Sequence, residues 1–387
     1  MKQFISKIHL WLSIPFGLIV TVICLSGAAL VFEDEATRAL HPKLYHVAHA
    51  NVQPLAPSQL VARVDEQMPD SLHLSSLRLS GQHDETCMVT FHETGRRRLS
   101  VDPYTGHVNG WLGSSTMRKL HRWLLDPPAA KGEKSVGKII VGVSTLCLVV
   151  ILVSGFILWF PRNRKSLRNR LKITFFNGRR RFYYDCHIAL GFYTTLLLLV
   201  MALTGLTWSF GWYRTAAYAL FGGAQQSIAA SENTLKKTYF IDRNGRKTTG
   251  KGTADPKLGK LRNEKEEFKF DYSVWDKALT QLTAHYPVYK TILLTQTEAQ
   301  VVRQSNIRRT DRIAFDPHSA RLGDIMRYED TPRHQRLQAW FYAFHTGSWG
   351  GIWTKLLYFL AALIGATLPL TGYYLWWKRY SDRKRTK

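Results

Sequence analysis

Residues 185–213 read DCHIALGFYTTLLLLVMALTGLTWSFGWY, and this stretch decides the class of the protein. After Asp185, the next charged side chain is Arg214. About 20 consecutive apolar residues are enough to cross a bilayer as an α-helix. The stretch is therefore a predicted transmembrane helix. It also carries His187, a side chain that is costly in such a helix and is a functional candidate for that reason.

Three further windows lack charged side chains. Counting the first, there are four such windows, and each holds 22 to 28 residues. The chain therefore has four predicted transmembrane spans. This pattern excludes a soluble globular protein, although the mean hydropathy of the whole chain is only −0.18. The three windows lie between Lys7 and Glu33, between Lys138 and Arg162, and between Lys355 and Lys378.

The strongly basic composition reflects membrane topology. The chain has 53 Lys and Arg against 28 Asp and Glu, which gives a formal net charge of +25. Residues 161–184 hold nine of these basic side chains and no acidic one, and residues 378–387 hold six more. The positive-inside rule places both segments and the N-terminus in the cytoplasm. Since topology accounts for the charge, we expect no nucleic-acid partner.

These features predict a multi-pass membrane protein with eight segments. Residues 1–28 also fit a cleaved signal peptide, but their long apolar run favours an uncleaved anchor. A polar, Lys- and Gly-rich stretch at 222–269 is a predicted loose insert. The segments are transmembrane helices at 8–32, 136–160, 185–213 and 352–377, α+β domains on the opposite, translocated side at 33–135 and 214–351, a basic cytoplasmic loop at 161–184 and a cytoplasmic tail at 378–387.

The sequence pattern occurs twice. Gly27 follows His9 by 18 residues, and Gly205 follows His187 by the same spacing. Each of these helices leads to a helical stretch, to alternating strand-like segments and to an Asp-Pro turn, and in the first copy we expect strands at 74–80, 86–92 and 95–101. The predicted fold is mainly α, with two tandem repeats of helix, small α+β domain and helix. The turns lie at Asp102-Pro103 and Asp316-Pro317.

Four histidines occupy equivalent positions in the two repeats. His9 and His187 open the first and third membrane helices, and His121 and His345 precede the second and fourth. Two-fold packing of the repeats would bring His9 against His187 near one membrane surface. It would bring His121 against His345 near the other surface. Paired neutral imidazoles are axial ligands of low-spin b-type haem, so we predict two haem b groups per chain. Zinc is a weaker alternative, because each pair of histidines offers two ligands where a structural zinc site needs four.

The two glycines fit this hypothesis. Eighteen residues make five whole turns, so Gly27 lies on the face of His9 about 27 Å further along, and Gly205 is placed likewise. We predict that their bare backbone admits the porphyrin of the His121–His345 haem. Ordinary packing of small residues between helices would explain them as well. In the pair with His121, His334 is an alternative ligand to His345.

The residues resemble the PepSY-associated transmembrane family of bacterial inner-membrane proteins. The resemblance covers nearly the whole chain apart from the insert. Members of this family look like iron-regulated uptake proteins, and the ferrisiderophore reductases among them carry two b-type haems. The resemblance implies a location in the bacterial inner membrane, with the two α+β domains in the periplasm, and it implies that these domains are PepSY-like. The matching motifs are His9 with Gly17 and Ser26-Gly27, Arg98…Asp102-Pro103…Gly106, Leu120-His121-Arg122-Trp123-Leu124, Phe344-His345-Thr346-Gly347, and Thr371-Gly372.

The predicted function is transmembrane electron transfer to a ferric siderophore or another ferric chelate, which releases Fe(II) for uptake. No catalytic side chain is assigned, since the protein would supply cofactor binding and orientation. The 24 residues of 161–184 are too few to fold around a flavin, so a membrane quinol or a separate reductase would be the donor. The alternatives are a non-redox module that binds a partner, for example to inhibit a protease or to assist uptake, and a haem sensor.

Overall fold

The computed structural model describes residues 1–47, 53–94, 97–113, 115–127, 135–161, 163–222, 239–241, 247–249, 270–305 and 307–385. Most of the predicted insert 222–269 lies outside the described residues. Within it, two short strands, β5 (Tyr239–Ile241) and β6 (Lys247–Thr249), pair antiparallel. The chain divides into a helical unit, made of Met1–Ala36, Ser114–Phe221 and Leu337–Lys387, and a sheet unit, made of Thr37–Gly113 and Gly222–Arg336.

Eleven helices and ten strands are numbered along the described chain. The helices are α1 (Lys2–Val31), α2 (Glu33–Leu40), α3 (Pro57–Asp65), α4 (Thr116–Trp123), α5 (Val136–Trp159), α6 (Arg164–Arg170), α7 (Arg179–Ser209), α8 (Gly211–Leu220), α9 (Ser273–His285), α10 (Arg333–Thr346) and α11 (Gly351–Arg385). The remaining strands are β1 (Leu74–Ser80), β2 (Cys87–Phe91), β3 (Arg98–Val101), β4 (Val108–Leu112), β7 (Thr291–Leu294), β8 (Glu298–Val302), β9 (Thr310–Phe315) and β10 (Leu322–Met326).

Four helices of the helical unit, α1, α5, α7 and α11, are long and apolar enough to cross a membrane. The chain is therefore a multi-pass membrane protein whose exposed apolar side chains contact the bilayer. Helix α1 packs against α5 and α11, and α7 packs against the same two helices. This arrangement is a four-helix bundle in which α1 and α7 lie on opposite corners. Side chains from these two helices can therefore meet across the bundle axis.

Helix α1 is continuous, but one of its backbone hydrogen bonds is replaced near its middle. Pro15 has no backbone N–H, and the Tyr373 hydroxyl of α11 donates to the Ile14 carbonyl (2.7 Å) and accepts from the Leu18 N–H (3.0 Å). The hydroxyl therefore replaces one rung of the α1 hydrogen-bond ladder. A Cβ at Gly17 would lie 2.6 Å from this oxygen, so the close approach of α11 requires glycine there.

The sheet unit contains one eight-stranded antiparallel sheet in the order β10-β9-β8-β7-β1-β2-β3-β4. The sequence analysis treats 33–135 and 214–351 as two separate domains, whereas the structure joins their strands at the β1–β7 pair. Leu77 lies opposite Leu294 at this junction, and both side chains are fully buried. Each set of four strands would otherwise leave a long exposed edge, and pairing removes both edges.

One hydrophobic core serves the whole sheet unit. Helices α3 and α9 supply Leu60 and Trp275 to it, and both side chains are completely buried. The core includes residues from both sets of strands, such as Val89 of β2 and Ile313 of β9. Strands β8 and β9 alternate buried and partly exposed positions, as expected when one sheet face is covered. In β2 and β3, both faces of the sheet are covered, because three consecutive residues of each strand are buried, 87–89 and 99–101.

Candidate functional site: two histidine pairs in the helical unit

The structure brings the four predicted histidines together as two pairs. The ring centres of His9 (α1) and His187 (α7) are 6.4 Å apart, and the ring planes are nearly perpendicular at 88°. The ring centres of His121 (α4) and His345 (α10) are 6.1 Å apart, with an interplanar angle of 53°. Each pair therefore joins one histidine from each half of the chain.

Each imidazole is fixed through Nδ1 by a backbone carbonyl oxygen of a membrane helix. A carbonyl oxygen only accepts hydrogen bonds, so Nδ1 must carry the proton and Nε2 is left with its lone pair. This is the tautomer that a metal-binding histidine uses when a backbone carbonyl orients it. The acceptors are Ile151 O for His9 (3.1 Å), Leu368 O for His187 (3.1 Å), Ile23 O for His121 (2.9 Å) and Met201 O for His345 (2.9 Å).

A hydroxyl three residues after each carbonyl completes the contact. Each hydroxyl donates to a carbonyl of its own helix and is therefore free to accept from Nδ1–H. Two acceptors on one helix hold the ring in a single orientation. The distances to Nδ1 are 3.1 Å from Ser154 to His9, 2.9 Å from Thr371 to His187, 3.3 Å from Ser26 to His121, and 3.2 Å from Thr204 to His345.

A glycine follows each hydroxyl and gives the imidazole room. A Cβ on Gly27 would lie 3.0 Å from Cε1 of His121, and a Cβ on Gly205 would lie 3.0 Å from Cε1 of His345. Gly155 stands in the same relation to His9 at 3.1 Å, and Gly372 to His187 at 3.5 Å. We call each set of carbonyl, hydroxyl and glycine a Ser/Thr-Gly clamp. Each of the four membrane helices carries one clamp, and each clamp holds one histidine.

Helix α4, which carries His121, is anchored at both ends. Ser115 caps its N-terminus by accepting from the Arg118 N–H (3.1 Å). Beyond its C-terminus, the Asp126 carboxylate accepts from the Gly137 N–H at the start of α5 (3.0 Å). The Trp123 carbonyl packs so closely on Gly137 that a Cβ there would overlap it. These contacts fix the position of His121 although α4 has only eight residues.

The spacing of both pairs fits a metal ion held between two imidazoles. Two metal–nitrogen bonds of about 2.0 Å and two ring radii of about 1.1 Å place the ring centres about 6.2 Å apart. The observed separations are 6.4 and 6.1 Å. Both pairs therefore have the ring spacing of two imidazoles that share one metal ion.

Burial keeps the His121–His345 pair neutral. Burial is the main cause that lowers the pKa of His121. Burial, followed by the neighbouring charge of His121, lowers the pKa of His345 to about 4. Both rings are therefore unprotonated at Nε2 near neutral pH, as metal ligation requires.

A cavity of about 970 Å³ surrounds the His9–His187 pair and extends towards the middle of the bundle. Its walls are mostly apolar, with Val20, Leu152 and Leu198 at the inner end. Its volume is at the upper end of the range for cofactor pockets. The cavity can therefore take a large, flat, apolar ligand beside the histidines.

Arginines line the end of this cavity near α6 and the start of α7. Arg181 pairs with Asp185 (3.0 Å), and Arg180 pairs with Asp382 (2.8 Å). Arg379 also lines the cavity and forms no ion pair with any described residue. This end of the cavity is thus suited to carboxylates attached to an apolar ligand.

Comparison with known proteins identifies the family. The family described as PepSY-associated TM region matches residues 6–379, which is nearly the whole chain. The chain belongs to this family. No curated protein matches it.

For this PepSY-associated protein, the sequence analysis found the histidines but not the complete clamps. It assigned Gly27 and Gly205 to porphyrin packing, whereas the structure places both directly against imidazole rings. Their predicted contact with a porphyrin remains a prediction. The sequence analysis assigns no role to Ser154-Gly155 of α5, and it names Thr371-Gly372 of α11 only as a matching motif. A signal was present in the sequence, because each of the four predicted membrane spans contains one Ser-Gly or Thr-Gly pair, and these four pairs match the four histidines in number.

His334, the alternative ligand in the sequence analysis, is not in either pair. It lies in the first turn of α10, 11 residues before His345. That spacing corresponds to about 16 Å along the helix axis. His345 is the α10 histidine that faces His121.

Proposed function

We propose that this protein is an inner-membrane electron conduit that binds two haem b groups and reduces a periplasmic ferric chelate, most simply a ferric siderophore. The observation that supports the proposal is the presence of two histidine pairs. The ring centres within the pairs are 6.4 and 6.1 Å apart, and equivalent clamps hold all four rings in the same tautomer. Membership of the PepSY-associated TM family is consistent with it. The four equivalent clamps also support two tandem repeats, each of helix, α+β part and helix.

The histidines and their clamps would perform the protein's part of the chemistry. Each pair would hold one haem through its Nε2 atoms, and the hydrogen bonds to Nδ1 would orient the rings and raise the basicity of Nε2. Bound haem supplies reversible one-electron transfer at its iron. Because the ligand rings are already oriented, little rearrangement would accompany a change of charge at the site.

The cavity beside His9 and His187 has the character of a haem pocket. Its apolar walls would pack against the macrocycle, and Arg379 would meet a propionate at the basic end. The sequence places this end at the cytoplasmic surface. Electrons would enter there from a quinol or a separate reductase and leave from the His121–His345 site.

The first experiment is spectroscopic and compares two ligand variants with one control. The protein is produced with ample haem, purified in detergent, and its spectra are recorded oxidised and after dithionite reduction, with haem quantified per chain. We expect about two low-spin haems, and His9→Ala and His345→Ala should each lose about one. His334→Ala is the matched control, because His334 shares α10 with His345 and lies outside the pair.

A second measurement tests the acceptor. The dithionite-reduced protein, freed of excess reductant, is mixed with a ferric siderophore, and haem reoxidation and Fe(II) release are followed together. Stoichiometric Fe(II) release supports the reductase. Protein without haem would contradict the whole proposal and favour a binding module. If haem is bound but no ferric chelate reoxidises it, the result would favour a haem sensor over a reductase.

A further inference from the structure

A second cavity, of about 350 Å³, lies between α6 and the first turns of α7. Its residues on each helix fall on one face, because positions three and four apart are neighbours on a helix surface. The cavity is therefore a groove between two facing helices. Its walls include Lys165, Asn169 and Arg170 on α6, and Arg181, Tyr184 and Ile188 on α7.

The groove is positively charged. Three cations line it, and Asp185 is the one carboxylate among its described residues, which leaves a net charge of +2. Asp185 is buried and accepts from the Arg181 Nε (3.0 Å) and from the Thr174 N–H (3.2 Å). Lys165 forms no ion pair with any residue that the structure describes. The groove thus holds positive charge that the described chain does not neutralise.

The arginines of the groove are held in place by the chain. Nη1 of Arg170 donates to the carbonyl oxygens of Leu158 (3.0 Å) and Trp159 (2.6 Å), which attaches α6 to the end of α5. Asp185 holds the Nε of Arg181, whose terminal nitrogens donate no hydrogen bond to a described residue. These nitrogens can therefore bind an oxyanion, and both guanidinium and ammonium groups bind phosphate.

Exposed apolar side chains beside the groove favour a lipid as the source of this oxyanion. Phe175 and Phe176, in the loop between α6 and α7, are 68% and 97% exposed. Thr174, the residue before them, donates to Asp185 of the groove, so the loop is attached there. The positive-inside rule places this loop at the cytoplasmic membrane surface, where aromatic side chains insert among lipid chains. A phosphate ester dissolved in water would need no such apolar neighbours, whereas a phospholipid carries acyl chains beside its phosphate.

We propose that the groove between α6 and α7 binds the phosphate of an anionic phospholipid, such as phosphatidylglycerol. Lys165 and Arg181 would contact the phosphate oxygens, and the Asn169 amide would donate to the headgroup. The acyl chains would lie beside Phe175 and Phe176. Basic pockets next to membrane helices on the cytoplasmic side are a general type of site for anionic headgroups.

Membrane topology alone does not account for this arrangement. The positive-inside rule explains why the loop at 161–184 is basic, but it depends on the number of cations and not on where their side chains meet. Arg170 and Arg181 also line the cavity beside His9 and His187, so the lipid would lie next to that site. The lipid would nevertheless bind to protein that contains no haem, because its contacts are all with the chain.

The test is lipid binding to the full-length protein, stripped of lipid in a neutral detergent and followed by native mass spectrometry. Phosphatidylglycerol and phosphatidylcholine are added in separate titrations. We expect one phosphatidylglycerol per chain, bound at least about tenfold more tightly than phosphatidylcholine. A calorimetric titration with glycerol 3-phosphate distinguishes a lipid from a free phosphate ester, and this compound should bind at least about tenfold more weakly than phosphatidylglycerol.

Lys165→Gln and Arg168→Gln form a matched pair. Both substitutions remove one positive charge from α6, but of the two residues only Lys165 lines the groove. We expect Lys165→Gln to weaken phosphatidylglycerol binding by about fivefold and Arg168→Gln by less than about twofold. Asn169→Leu leaves the net charge unchanged and should weaken binding by about threefold or more, since a hydrogen-bond donor is lost. The side chains of Lys165 and Asn169 form no hydrogen bond or ion pair with another described residue, so neither substitution removes such a contact from the fold.

The proposal is overturned if phosphatidylcholine or glycerol 3-phosphate binds as tightly as phosphatidylglycerol. Equal weakening by Lys165→Gln and Arg168→Gln would also overturn it, because general attraction to the basic loop would then explain the affinity. Wild-type affinity in Asn169→Leu would exclude the groove in the same way. Haem content is measured on the same samples, so failure of this site and failure of the electron-transfer function are distinguishable.

Discussion

At the scale of single residues, the Ser/Thr-Gly clamp explains why each histidine is accompanied by two small residues on another helix. The hydroxyl and the carbonyl set the position of Nδ1, and the glycine allows the ring to approach the helix. A histidine side chain has two rotatable bonds, and this contact restricts both. The clamp therefore holds each ring in one orientation.

Gly205→Ala tests the clamp directly. The added Cβ would lie 3.0 Å from Cε1 of His345, so the ring must move by a few tenths of an ångström. We expect the haem content to fall from about two towards one per chain, with the His9–His187 site retained. Haem quantification and reduced-state spectra measure this.

The control for this prediction is Gly211→Ala. Gly211 follows α7 and has open space where a Cβ would be added. Normal haem content in Gly205→Ala would show that the clamp tolerates displacement and that the glycine has another role, such as the porphyrin contact predicted from the sequence.

The histidines were predictable because polar residues in apolar helices are rare enough to stand out. The clamps were not, because Ser-Gly and Thr-Gly also occur at ordinary helix contacts. Deciding between these explanations needs the position of a partner helix. No spacing within one helix supplies that position.

At the scale of elements, the Asp-Pro sequences form the expected turns. Oδ1 of Asp102 accepts from the Tyr104 N–H (2.8 Å), and Oδ1 of Asp316 accepts from the His318 and Ser319 N–H groups (2.8 and 2.9 Å). Each turn ends in a residue with positive φ, 72° at Gly106 and 59° at Ala320. The turns connect β3 to β4 and β9 to β10, so they fix the register at both ends of the sheet.

Removal of the Asp316 carboxylate should destabilise the sheet unit. Hydrogen bonds from Ser319 and His318 hold the pKa of this carboxyl below its usual value. Asp316→Ala should lower the free energy of unfolding by about 1 kcal/mol at neutral pH, as for other side chains that cap backbone N–H groups. Because the folded pKa is lowered, this contribution is present above the unfolded pKa and is lost as the pH falls through the folded value.

The measurement is a series of thermal melts by circular dichroism from about pH 7 down to about pH 3. The difference between wild type and Asp316→Ala should shrink towards the acid end. Asp316→Asn keeps an oxygen acceptor but does not titrate, so it should lack that pH-dependent part. A difference that stays constant with pH would rule out the carboxylate as its source.

Strand positions in the first half could be predicted closely. The expected strands at 74–80, 86–92 and 95–101 correspond to β1, β2 and β3, because apolar and polar residues alternate there. Strand β4 (Val108–Leu112) was not predicted, since it contains Gly110 and has only one buried residue, Leu112. A strand at the end of a sheet carries a weaker pattern because little of it is buried.

At the scale of the whole molecule, the two α+β halves share a sheet and a core. The sequence suggested two domains, since each half has its own helix and strands. The edge-to-edge contact between β1 and β7 depends on backbone hydrogen bonds, which leave no signature in side-chain pattern. Leu77 and Leu294 pack across this junction.

Leu77→Ala should therefore weaken both halves together. Leu77 is completely buried, and such a truncation costs about 2–5 kcal/mol. Hydrogen–deuterium exchange should show reduced protection in β2 and also in β7. Val288→Ala, at a side chain that is 66% exposed, should leave both unchanged. Loss of protection confined to β1–β4 would instead indicate two independently stable domains.

The pairing of histidines from opposite halves of the chain has one more consequence. A metal bound by His9 and His187 would link residues 178 positions apart (187 − 9), and one bound by His121 and His345 would link residues 224 apart (345 − 121). Such cross-links restrict the unfolded chain as disulfides do, by about 5 kcal/mol each for loops of this length. The four cysteines of the chain are free. If the proposed haems are bound, their histidine links would restrain this chain as disulfide bonds restrain others, and loss of haem would weaken the contact between the two halves of the bundle.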